Sequence, residues 1–136
     1  MNRSGFSLVE ILVSVAILCI LVAAAAPHYF LAVEQANVDQ CGGTLESIWN
    51  AQRLYWLENR TFAGSLATLA ALNLLDARIA TATDPFSYRI TSADSSTFIA
   101  EGTRISDGGW SGTITIDQME ILSGSVTDGE GNHVSP

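Results

Sequence analysis

The stretch FSLVEILVSVAILCILVAAAA, residues 6–26, decides how this chain is organised. It holds about 21 almost uninterrupted apolar residues, the length that an α-helix needs to cross a lipid bilayer. Arg3, on its N-terminal side, predicts a cytoplasmic N-terminus. A secretory signal peptide is the alternative reading, because the alanines that end the stretch could supply a small-residue cleavage site.

One residue in this region, Glu10, argues against a signal peptide that is simply removed. Glu10 places a carboxylate within a membrane helix, where ionisable groups are costly and usually functional. Neither a plain anchor nor a discarded signal has a use for such a group. Pro27 lacks a backbone N–H, so we expect it to kink the helix or melt it locally.

The residues Gly5-Phe6-Ser7-Leu8-Val9-Glu10 resemble the processing site of type IV pilins and of the pseudopilins of type II secretion. The resemblance implies that a prepilin peptidase cleaves between Gly5 and Phe6 and then N-methylates Phe6. It also implies that Glu10 pairs with the N-terminal amine of a neighbouring subunit, and pilin helices commonly carry a proline at the position of Pro27. An unpaired charge buried among apolar side chains is costly, so this pairing would set the axial register of a filament.

After Pro27 the chain regains helical periodicity, which we expect to continue to about Glu58. Its apolar-leaning stripe consists of Val33, Ala36 or Asn37, Cys41, Leu45, Ile48, Gln52 and Tyr55. Trp49 and Trp56 lie on a neighbouring stripe that could face the sheet or another subunit. We predict a bend at Gly42-Gly43, because paired glycines weaken a helix.

The region after the long helix predicts a short helix capped by Ser65 and running through Leu75. Pilin-like chains often follow the long helix with a YxxxNxxFxxxLxxL run, and a similar run stands here with a packing role. Its residues are Tyr55, Asn59, Phe62, Leu66 and Leu69.

From Asp84 the apolar period changes to two, which is typical of half-buried strands. We predict strands beginning near residue 86 and over 97–103 and 112–117, and a short fourth over 119–122. Turns are predicted at 93–96 and 107–109, and the tail from Gly124 is expected to be a loop. The fold class is therefore α+β, with a long N-terminal helix packed against an antiparallel sheet of three or four strands.

This reading divides the chain into a leader (1–5), a transmembrane and filament-core helix (6–27) and a globular head (28–136). Before assembly the chain would cross the bacterial inner membrane once, and afterwards it would lie in an extracellular filament or a periplasmic pseudopilus. The resemblance implies that its partners are identical or homologous subunits, the prepilin peptidase, and the assembly platform with its ATPase.

Composition argues against other classes of protein. The net charge is −8, all six basic residues are arginines, and no basic run indicates a nucleic-acid partner. The two histidines, His28 and His133, form no recognisable catalytic set or zinc site, so we expect no enzyme. We expect no cofactor, with calcium at scattered carboxylates as the alternative.

The leading function is a structural subunit of a type IV pilus or related filament. A type II secretion pseudopilin or minor pilin is the alternative that the N-terminal motif leaves open. A membrane-anchored binding domain that never polymerises is the remote alternative.

Overall fold

The computed structural model describes residues 7–105 and 108–136, and for residues 25–28 it describes the backbone alone. A long helix, α1, spans Leu8–Asn59, and two short helices follow, α2 at Leu66–Ala71 and α3 at Ala77–Ala80. Five strands complete the described part of the chain: β1 Phe86–Ala93, β2 Phe98–Arg104, β3 Ser111–Asp117, β4 Leu122–Thr127 and β5 His133–Val134. They form one antiparallel sheet in the order of the sequence. The predicted α+β class is confirmed.

The chain divides into two compact units at Val33/Glu34. The C-terminal unit, Glu34–Pro136, is called the head unit below. The boundary predicted after residue 27 separates a transmembrane segment from the globular head, and it stays a prediction.

The part of α1 within the head unit buries one stripe of side chains. Its members recur at spacings of three and four: Glu34, Val38, Cys41, Leu45, Ile48 and Gln52. The predicted stripe was right from Cys41 to Gln52, and Tyr55 packs against the core at its end. Before Cys41 it was wrong at Val33 and Ala36, which are exposed, whereas the alternative Asn37 is half-buried. The inward positions belong to Val38 and to Glu34, whose carboxylate is tolerated because it is paired.

The sheet supplies the other half of the hydrophobic core. Buried apolar side chains from all five described strands belong to the same cluster as the helix stripe: Phe86, Phe98, Ala100, Ile114, Ile116, Val126 and Val134. Phe62 packs on Phe98 with ring centroids 4.9 Å apart, and Leu66 and Leu69 are buried beside it in the cluster. The packing role expected for these residues is confirmed.

The C-terminal tail differs from the prediction. Strand β4 begins at Leu122 rather than Met119, and the residues after Gly124 continue it and then form β5, so the sheet has five strands. The tail is ordered because Val126 and Val134 are buried, and because Asp128 accepts backbone N–H bonds from Glu130 and Asn132, each at 2.9 Å. Strands β4 and β5 each bury only one valine among glycines and polar residues, so the tail lacks the alternating apolar pattern that predicts a strand.

The predicted capping of α2 by Ser65 is confirmed, since its hydroxyl accepts the Thr68 N–H at 3.2 Å. The helix ends at Ala71 instead of reaching Leu75, and α3 was not predicted, although Asp76 caps it in the same way. Ser65→Ala is expected to destabilise the head unit by about 1 kcal/mol, since one helix N–H loses its partner. Urea unfolding measures this, and Ser65→Asp should restore most of the loss.

Candidate functional site

The two processing residues, Gly5 and Phe6, lie outside the described residues. The first residue described is Ser7, and α1 begins directly after it at Leu8. Cleavage between Gly5 and Phe6 and methylation of Phe6 therefore stay predictions.

Glu10 lies in the first turn of α1 and is exposed. Its carboxylate turns back toward the start of the helix, and Oε2 lies 3.5 Å from the Ser7 backbone nitrogen. The Ser7 carbonyl accepts the N–H groups of Glu10 and Ile11. This geometry resembles half of a capping box, a signal that the sequence Ser7-x-x-Glu10 contained and that sequence reasoning did not use. The positive end of the helix dipole, at the N-terminus of α1, also stabilises the negative carboxylate of Glu10.

The first part of α1, from Leu8 to Val22, exposes large apolar side chains along its whole length. Its best 18-residue window has a mean hydropathy of 2.8, and none of that window is buried within the chain. The large side chains that stand exposed are Leu8, Val9, Ile11, Leu12, Val13, Val15, Ile17, Leu18, Ile20, Leu21 and Val22. By length and composition this helix could cross a membrane. A surface of this extent requires a lipid or protein environment.

Pro27 lies within α1, whose backbone is helical on both sides of it. The helix is also continuous through Gly42-Gly43. Kinking or melting at Pro27 and bending at the glycine pair stay predictions.

The head unit contains a buried ion pair that sequence reasoning missed. Arg104 on β2 and Glu34 on α1 have side chains only 7% and 4% exposed. The Arg104 Nε and Nη2 donate to the two Glu34 carboxylate oxygens at 2.7 and 3.1 Å. Arg104 Nη1 also donates to the carbonyls of Pro85 and Ile105, and Asn37 donates to Glu34. The pair is bidentate and joins the helix to the sheet.

Two tryptophans of α1, Trp49 and Trp56, face the sheet of their own chain. The indole N–H of Trp49 donates to the Gln118 carbonyl at 3.2 Å, and that of Trp56 donates to the Ser95 carbonyl at 2.9 Å. Both bonds reach turns between strands. The first of the two alternatives predicted for these residues is therefore confirmed.

Within the described residues, no group of three or more His, Cys, Asp and Glu side chains could hold a metal ion. Two of the carboxylates considered for calcium instead organise turns: Asp117 accepts N–H bonds from Met119 and Ile121, and Asp128 organises the turn after β4. Burial raises the pKa of the Cys41 thiol to about 12, so at neutral pH it is an un-ionised packing group rather than a nucleophile. Cys19 and Cys41 are both free.

Residues 1–26 match the prokaryotic N-terminal methylation motif. The chain is also 32% identical over 73 residues to the type IV wide pilus major component PilA4 of Thermus thermophilus. Both findings show that the chain is similar to type IV pilins, as its N-terminal residues indicated. The similar stretch covers 54% of this chain and 56% of that relative, so the chain spans about half the length of the pilin it matches.

One long apolar N-terminal helix is consistent with this similarity and with anchoring in a membrane. The five-stranded sheet on the second part of α1 has the pilin-like layout. The structure thus shows the expected helix and an ion-paired head.

Proposed function

We propose that this chain is a structural subunit of a type IV pilus or related filament. A prepilin peptidase cleaves it between Gly5 and Phe6 and methylates the new terminus, and α1 then assembles with copies of itself. The observation that carries the proposal is the exposed apolar surface of the first part of α1, from Leu8 to Val22, with a single carboxylate, Glu10, near its start. The similarity to a major pilus component favours a pilus subunit over a secretion pseudopilin.

Assembly follows from the chemistry of that surface. A membrane supplies apolar contacts for α1 before assembly, and the helices of neighbouring subunits supply them afterwards. Transfer from lipid to a bundle brings little net hydrophobic gain, so packing and polar contacts between helices select the arrangement. Platform and ATPase machinery would supply the work of extraction, and the chain itself performs no catalysis.

In this proposal, the pairing of Glu10 sets the axial register between neighbouring subunits. Cleavage after Gly5 leaves a positive amine on Phe6, directly before Ser7 in the chain. The Glu10 carboxylate is already turned toward the Ser7 nitrogen, so it faces the end of the helix at which that amine is created. In a staggered bundle the amine of a neighbour satisfies the carboxylate, and a subunit at another height leaves both charges buried without partners.

Glu10→Ala is expected to insert into the membrane normally and to reduce the yield of sheared filaments by about tenfold or more, equivalent to about 1.4 kcal/mol per subunit contact. Quantitative immunoblots of sheared and membrane fractions from the native cells measure both pools. Glu46→Ala is the matched control, since Glu46 is an exposed acid on the head part of the same helix. Normal filament yield from Glu10→Ala would refute the registering role.

Processing is tested separately by the intact mass of the chain isolated from its cells. A mature chain beginning at methylated Phe6, abundant in sheared filaments, is the expected result. The same mature chain confined to membranes would favour a pseudopilin or minor subunit. A chain with Met1 still in place would contradict the proposal and support a membrane anchor that does not polymerise.

A further inference from the structure

A groove of 540 Å³ lies between the end of α1 and two turns of the sheet, within the head unit. Its lining includes Arg53 and Trp56 from the helix, Phe62 from the segment after it, and Ser95, Ser96 and Gln118 from the turns. The volume falls in the range of sites for small ligands, about 300 to 1,000 Å³. The assembly proposed above does not use this groove.

The walls of the groove are fixed before any ligand arrives. Trp56 is held by its hydrogen bond to the Ser95 carbonyl, and the Gln118 carbonyl holds Trp49. The β1–β2 turn is itself tied by Asp94, which accepts the Ser96 and Thr97 N–H groups at 2.6 and 2.7 Å. A site of this kind loses little conformational entropy when it binds.

The groove also offers positive charge on an acidic protein. Three of the five described arginines, Arg78, Arg89 and Arg104, are ion-paired with carboxylates. The other two, Arg53 and Arg60, have no carboxylate within 4.0 Å in the described residues and lie over the rings of Trp49 and Trp56, at 4.8 and 5.0 Å. The guanidinium of Arg53 therefore keeps a planar set of donors available, and a carboxylate is the ligand group that such a fork matches.

We propose that this groove binds a carboxylate-bearing sugar, a hexuronic acid unit of an acidic polysaccharide. Arg53 pairs with the carboxylate, and the apolar face of the sugar ring packs against the lining side chains of Trp56, Leu57 and Phe62. The hydroxyls of Ser95 and Ser96 and the amide of Gln118 bond to the ring hydroxyls. The lining of the groove thus combines aromatic side chains, several neutral polar groups and one cation.

The same features disfavour two other occupants. An apolar protein segment would cover the serine hydroxyls and the Gln118 amide without giving them partners, which is unfavourable. A nucleic acid is held by several cations spaced along its phosphates, whereas this region offers only two arginines on a chain of net charge −8. A single carboxylate on a polyhydroxylated ring matches the one arginine and the neutral polar groups that line the groove.

The test uses the full chain in detergent micelles and follows tryptophan fluorescence as trigalacturonate is added. We expect saturable binding of trigalacturonate and none of the neutral trisaccharide maltotriose. Arg53→Gln is expected to weaken binding about tenfold or more, and Gln118→Ala to weaken it by a smaller factor. Arg78→Gln is the matched control, because it removes the same charge from an exposed arginine outside the groove. Circular dichroism verifies that each variant is folded.

Three results would overturn the proposal: no binding of trigalacturonate by the unaltered chain, equal binding of maltotriose, or equal loss of affinity in Arg53→Gln and Arg78→Gln. Tight binding of an oligothymidylate that Arg53→Gln abolishes would assign the groove to nucleic acid instead. Subunits in micelles need not polymerise for this measurement. If trigalacturonate does not bind, the filament proposal is unaffected. If filaments do not form, the proposed sugar site is unaffected.

Discussion

Arg104→Ala is expected to destabilise the head unit by about 3 to 5 kcal/mol, the cost of leaving one partner of a buried ion pair behind. That is a large fraction of the total stability of a small domain, about 5 to 15 kcal/mol. Among the described residues, Asn37 alone would still donate a hydrogen bond to the buried Glu34 carboxylate. The carbonyls of Pro85 and Ile105 would lose the Arg104 Nη1 donor as well.

Urea unfolding of the full chain in detergent, followed by tryptophan fluorescence, measures the effect, because all three tryptophans lie in the head unit. Arg89→Ala is the matched control: its arginine pairs with Glu101 on the neighbouring strand but is largely exposed, so a loss below about 1 kcal/mol is expected. The double variant Glu34→Leu with Arg104→Leu should recover much of the stability, since the buried charge is removed together with its partner. A loss below about 1 kcal/mol for Arg104→Ala would contradict the structural role given to the pair.

The sequence was most informative where a single physical signal dominated a long segment. The apolar run after Glu10 determined the helix, and the spacing from Cys41 to Gln52 identified its inward face. The same reasoning placed the start of that face wrongly, because it assumed that a charged residue stays outside. Glu34 is buried because an arginine 70 residues away meets it, and no local pattern contains that information.

The strands show the same limit. Strand β1, rich in aromatic and branched side chains, had a clear period of two, whereas β4 and β5 were hidden in a tail of small and polar residues. Their burial depends on the pairing of β4 with β3 and of β5 with β4, which are tertiary contacts. The groove at Arg53 joins residues from the helix and two distant turns, so its lining could not be assembled from sequence spacing either.

For the assembly segment, resemblance contributed more than periodicity. Hydropathy predicted a membrane helix, but the proposed role of Glu10 rests on the flanking Gly5-Phe6 junction. The proposed partner of Glu10 belongs to another subunit, so neither the sequence nor the fold of one chain contains it. The structure adds the direction in which the carboxylate turns, toward the Ser7 nitrogen.

The second large effect is expected for Gly102→Ala, where the sheet approaches Cys41 of α1 closely. A methyl group on Gly102 of β2 would lie 2.5 Å from the Cys41 sulfur and 3.2 Å from the Tyr88 ring. Both neighbours belong to the packed interior, and overpacking of this kind costs about 1 to 3 kcal/mol. We expect the free energy of unfolding to fall by that amount in the same urea assay.

Two further variants separate this clash from a general effect of alanine. Gly43→Ala makes the same chemical change on α1 where nothing lies within 4 Å of the added methyl group, and it should stabilise the helix by up to about 1 kcal/mol. Cys41→Ala removes the sulfur itself, so Gly102→Ala should cost at least about 1 kcal/mol less in that background. If Gly102→Ala costs the same in both backgrounds, then Cys41 does not limit how closely α1 approaches the sheet. If the cost falls, the small residue on β2 and the thiol on α1 together set the helix–sheet distance.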